Sequence, residues 1–145
     1  MSQALVYPQT RYQPSPVVDL SSKAERERLS PAAVRTFFNI MTRWNIRDED
    51  ARVLLGGVSN GPFYDMKKSP ERVLDADRLT RISYLVGIFK ALNILYSNKL
   101  ADQWVQFPNS NPIFGGQTPL AYMMKGGQSA MQTVRRLLDD RRGGM

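Results

Sequence analysis

Three adjacent carboxylates, Asp48, Glu49 and Asp50, are the densest acidic run in the chain and the first place to look for acid–base or metal chemistry. Adjacent residues on a helix splay around its axis instead of converging on one point. The trio therefore reads as a helix start, where acids are favoured at the positive end of the macrodipole. The chain has no Cys and no His. That excludes disulfides, thiolate and imidazole zinc sites, Ser-His-Asp triads and Cys-His pairs. Gly115-Gly116 has the look of a phosphate loop, but no strand precedes it and no Gly-Lys-Ser/Thr follows. No metal or cofactor is expected. What remains is basic: a formal charge of +7 over 145 residues, which points to an anionic partner. The excess is spread across the chain and is not gathered in a tail. No apolar run approaches the ~20 residues of a membrane-crossing helix, and Met1–Tyr12 lacks the pattern of a signal peptide. Together these predict a cytoplasmic, non-enzymatic protein with no membrane partner.

The elements that must carry these side chains are all helical. Residues 1–22, with Pro8, Pro14 and Pro16, predict an arm, and residues 23–29 a lead-in turn. Ser30-Pro31 reads as a cap-then-proline helix start, followed by Val34, Phe37, Phe38 and Met41 at helical spacing. A second helix opens at Asp48–Asp50, turns Ala51, Leu54 and Leu55 inward and ends at Gly56 or Gly57. A third, short helix follows Ser59. A glycine turn between two short helices is the helix-turn-helix arrangement. Its second helix would present Ser59, Asn60, Tyr64, Lys67 and Lys68 to DNA, because Asn pairs with adenine and Lys with guanine or phosphate. Residues from Asp75 or Asp77 to Tyr96 form the longest periodic run and predict a spine helix, which could also serve as a homodimer surface.

The last third predicts a compact helix over Lys99–Phe107 with Leu100, Trp104 and Phe107 inward. A turn follows at Asn111–Leu120, with Ile113 and Phe114 anchored inward and Phe114, Gly115, Gly116 and Pro119 as its structural residues. Thr118-Pro119 caps a short helix bearing Met123-Met124. Gly126-Gly127 breaks it, and a basic helix ends the chain. The candidate contact residues are Met123, Met124, Arg135, Arg136, Leu138, Arg141 and Arg142: Met pairs make soft partner surfaces, and guanidinium forks suit acidic pockets.

Leu54-Leu55-Gly56, Val58-Ser59 and Leu79-Thr80-Arg81-Ile82 resemble the helix-turn-helix half of the Xre/MbcA/ParS antitoxins. The series Trp104, Asn111-Pro112-Ile113-Phe114-Gly115-Gly116-Gln117-Thr118-Pro119-Leu120, Gly126-Gly127 and Val134-Arg135-Arg136-Leu137-Leu138 resembles their C-terminal toxin-binding domain. That domain reads as an Asn-x-x-Leu/Phe-Gly-Gly-x-x-Pro-Leu turn followed by a Gly-x-x-x-Val helix. The resemblance spans residues 30–142. It departs from the family at Gly61-Pro62, which interrupts the start of the DNA-reading helix. It implies an all-α protein: an arm and lead-in (1–29), an Xre-like helix-turn-helix domain (30–97) and a C-terminal toxin-binding domain (98–145). It further implies a bacterial antitoxin that covers the active site of a RES-domain toxin (a class that consumes NAD or transfers ADP-ribose), dimerises, and represses its own operon by binding operator DNA. The alternative is a stand-alone helix-turn-helix transcriptional regulator whose C-terminal module only dimerises.

Overall fold

A computed structural model describes residues 18–143; of the arm expected over 1–22, residues 1–17 lie outside the described residues. The described chain is all-α: α1 (Lys23–Arg43), α2 (Asp48–Leu54), α3 (Asn60–Lys68), α4 (Ala76–Leu95), α5 (Asn98–Gln103) and α6 (Pro119–Gly143). Single 3-10 turns at Trp104–Gln106 and Pro112–Phe114 link the last two helices.

α1 starts seven residues before the expected Ser30. Ser22 caps it, its side chain accepting from the Glu25 amide, with Glu25 in the first turn, the Ser-x-x-Glu pattern of a capping box. The Arg26 guanidinium ties the entering chain down through the carbonyls of Leu20 (2.8 Å) and Ser21 (2.9 Å). The lead-in turn at 23–29 is therefore helix. Ser30 is fully buried and does other work. Its Oγ donates to the Arg26 carbonyl (2.6 Å) and accepts from the Leu74 amide (2.9 Å). Pro31 lies inside the helix, where it removes one main-chain donor without ending the run.

α4 is the central element and packs against both α1 and α6. Asp75 caps it, accepting from the Arg78 amide at 2.9 Å, and Leu79, Ile82, Leu85, Ile88, Ala91 and Leu92 are buried. These buried residues pack in this chain's own core, while Val86, Phe89 and Leu95 on the same helix stay partly buried, and Leu79, Ile82 and Val86 also line an open cleft with α1. One continuous apolar cluster runs from Val34 on α1 to Leu138 on α6, so the packing does not break at residues 97–98. The backbone of α6 leaves helical geometry at Gly127, with φ 63° and ψ −143°. This kink is the break expected at Gly126-Gly127.

Candidate functional site

The α2–α3 face is built around Gly56 and Gly57, whose φ angles of 93° and 87° reverse the chain between the two helices in a region that side chains avoid. Arg52 sews the turn closed: its Nε donates to the Val58 carbonyl (2.8 Å) and its Nη1 to Asn60 Oδ1 (3.2 Å). Ser59 is the N-cap of α3, though its side chain makes no capping hydrogen bond. Gly61-Pro62 does not disturb the helix. Pro62 falls in the first turn, where amides have no intrahelical partner to lose, and α3 is anchored by buried Phe63 and Met66.

Ser59, Asn60, Tyr64, Lys67 and Lys68 are all exposed. They are not equivalent. Lys67 Nζ sits 2.9 Å from Asp48 Oδ1 and 5.9 Å from the ring centroids of both Phe38 and Phe63. It ties α3 to α2 as well as facing out. The acidic trio is divided among separate cations: Asp48 holds Lys67, while Asp50 (3.1 Å) and Glu49 (3.6 Å) hold Arg47. The hydrogen bond from Arg47 to Asp50, reinforced by the charges of Asp50 and Glu49, raises the Arg47 guanidinium above its ordinary value. Among the described residues, no cluster of three or more acids is placed to hold a metal ion.

The Asn111–Leu120 turn is fastened by one aromatic side chain. Phe114 is buried and meets Trp104 (6.0 Å, 80°) and Tyr122 (5.3 Å, 88°) edge-on. Gly115 and Gly116 have positive φ, Pro119 is buried, and Thr118 Oγ1 accepts from the Ala121 amide at 3.0 Å. Ile113 departs from expectation: it is exposed.

Downstream, the candidate contact residues separate into two groups. Met123 and Leu138 have no exposed surface. They belong to the core, and the expectation that they touch a partner is corrected on that ground. Adjacent residues cannot share one helix face, so Met124 is turned partly outward. Arg135 is laid along α4: its guanidinium fills the space where a Cβ on Gly87 would stand, and Nη1 donates to the Ser83 carbonyl at 3.4 Å. Arg136 and Arg142 are exposed. Arg141 donates to the Tyr96 hydroxyl at 3.1 Å.

α5 reverses its expected phase. Ala101 and Val105 are buried, while Leu100 and Phe107 are 57% and 54% exposed. Together with Ile94 at 59%, they are the most exposed large apolar side chains among the described residues. Leu100, Phe107, Tyr96, Trp104, Pro108 and Asn109 enclose a cleft of about 150 Å³. The only signal that could have found it is a second pair four residues apart, Ala101 and Val105, competing with Leu100 and Trp104 for the core.

A polar joint ties the two halves of the molecule. Arg81 pairs with Asp77 at 3.1 Å, and Gln128, just beyond the α6 kink, donates to Asp77. The same guanidinium lies against both Gly56 in the α2–α3 turn and Gly127 in the kink.

A glycine-turned pair of short helices followed by a kinked helical module defines an all-α protein. Residues 91–144 match the antitoxin Xre/MbcA/ParS C-terminal toxin-binding domain, and the chain belongs to this antitoxin family. It is 35% identical over 130 residues to the uncharacterized protein y4oB of Sinorhizobium fredii (strain NBRC 101917 / NGR234), an overlap covering 89% of this chain and 98% of that protein. No solved structure matches the chain at a significant level. Among the described residues, no helix is long and apolar enough to cross a membrane.

Proposed function

We propose that the chain is the antitoxin of a cytoplasmic toxin–antitoxin pair. It neutralises a RES-domain toxin by covering the NAD pocket with its C-terminal region, has no enzymatic activity of its own, and represses its own operon as a homodimer bound to operator DNA. The observation that carries this reading is the match of residues 91–144 to a toxin-binding domain. Of the contact residues expected on α6, Met124, Arg136, Arg141 and Arg142 keep surface available to a partner. Arg135, on the same helix, is laid against α4 at Gly87 and Ser83. An NAD pocket must accept a pyrophosphate, so an inhibitor rich in arginine does not imitate the ligand. It fills the entrance sterically and engages acids at the rim.

The DNA reading rests on the exposed side of α3. Ser59, Asn60, Tyr64 and Lys68 are exposed and would make the base or phosphate contacts, with Asn60 shared with Arg52 and Lys67 shared with Asp48. The test is co-expression with the neighbouring gene, scoring growth rescue and co-purification. Rescue by the full chain with loss of rescue on truncation at Asp139 is the expected result. A truncated chain that still neutralises the toxin would remove the role assigned to Arg141 and Arg142. A chain that neither rescues growth nor co-purifies would leave the stand-alone regulator.

A further inference from the structure

We infer that the cleft between α5 and the end of α4, beside the arginine end of α6, is a socket for an apolar side chain of the toxin. This rests on the antitoxin reading above.

Three observations point to it. First, Leu100 and Phe107 are more than half exposed although Ala101 and Val105 already supply the core contacts of this segment. Exposed apolar side chains gathered around one concavity mark a surface that another molecule covers. Second, the cleft measures about 150 Å³, and a cavity of about that volume accommodates a benzene-sized group. One aromatic or branched aliphatic side chain fits. Third, the cleft lies entirely within residues 91–144, the part matched to a toxin-binding domain.

The charges around it choose between occupants. Arg141 reaches the Tyr96 hydroxyl at the cleft wall, and exposed Lys99 adjoins Leu100. Nearby Asp102 is engaged by Arg43 at 3.0 Å, so the rim is cationic. A two-fold contact between copies through this patch would bring like charges together, because an isologous interface pairs a surface with itself. A partner presenting an apolar side chain flanked by Asp or Glu meets no such repulsion. A buried anchor within a polar rim is also the usual anatomy of a binding hot spot.

The test uses the full chain carrying Leu100→Ala and Phe107→Ala together. The probe is the RES-domain protein encoded beside this gene, inactivated by substitution in its own active site. The expected result is at least a ~30-fold weaker Kd by calorimetry, with the melting temperature and the mass in solution unchanged. Unchanged affinity for a toxin that the parent chain binds would overturn the socket and leave the antitoxin reading intact. Unchanged toxin affinity with a halved mass would overturn it in favour of a second copy. A parent chain that does not bind the RES-domain protein takes down the antitoxin reading and the socket together.

Discussion

The kink in α6 offers a test in which two neighbouring glycines fail for different reasons. Gly127 has φ 63° and ψ −143°, a combination that is essentially glycine-only and costs other residues about 1–3 kcal/mol. Space is not the obstacle there, since an added Cβ would lie 3.6 Å from the Arg81 guanidinium, an ordinary contact. At Gly126 the backbone is not strained in this way, but an added Cβ would stand 2.6 Å from the Ala130 Cβ. Ala130 is buried and has no rotamer to change, so the main chain must move, at about 1–3 kcal/mol for overpacking. A stiffer unfolded chain offsets about 0.4–1 kcal/mol in either variant. The middle of each range leaves a net cost of about 1.3 kcal/mol, so at about 4 °C per kcal/mol for a domain of this size Gly127→Ala and Gly126→Ala are each expected to lower the melting temperature by roughly 5 °C. Gly61→Ala is the control: it lies in α3 without a positive φ, and nothing stands within 4 Å of the added Cβ. It is expected to leave stability unchanged or raise it by about 0.5–1 kcal/mol. The assay is thermal unfolding followed by far-ultraviolet circular dichroism. If Gly127→Ala melts with the parent chain, α6 is not kinked as described and the aim of its arginine half has no structural basis.

Three further outcomes follow from the packing. Ser30→Ala removes the acceptor of the buried Leu74 amide and is expected to cost about 1–3 kcal/mol, read as a lower denaturant midpoint with an unchanged slope; no loss would mean that this bond is not made in solution. Leu138→Ala should destabilise the fold by about 2–5 kcal/mol without weakening toxin affinity measured below its melting temperature, whereas Arg142→Ala should do the reverse. For operator DNA, each phosphate-contacting lysine contributes about 0.9 to the slope of log affinity against log salt. Lys68→Ala should flatten the slope by about that amount, and Lys67→Ala should additionally loosen α3 by removing its tie to Asp48. A slope unchanged in both variants would place these lysines off the DNA.

Much was determined by local chemistry and could be read from the residues in order. Apolar spacing located the body of each described helix but missed the first two turns of α1, glycine pairs marked the α2–α3 turn and the α6 kink, Thr118-Pro119 capped the last element, and the Asn111–Leu120 pattern carried the family signature. Each rests on interactions within a few residues: a turn angle, a cap, a helical period. What the tertiary structure alone decided were choices between equally good local options. Ser22 and Ser30 both qualify as caps, and the buried Leu74 amide, forty-four residues away, claims Ser30 for the core. In α5, Leu100/Trp104 and Ala101/Val105 have the same spacing, and the narrow space beside α4 and α6 admits the smaller pair, which turns Leu100 and Phe107 out. Met123 and Leu138 face inward because α4 supplies the surface that covers them. A periodic pattern states that a helix has an apolar face, but its phase about the axis is set by the neighbours that face must fit.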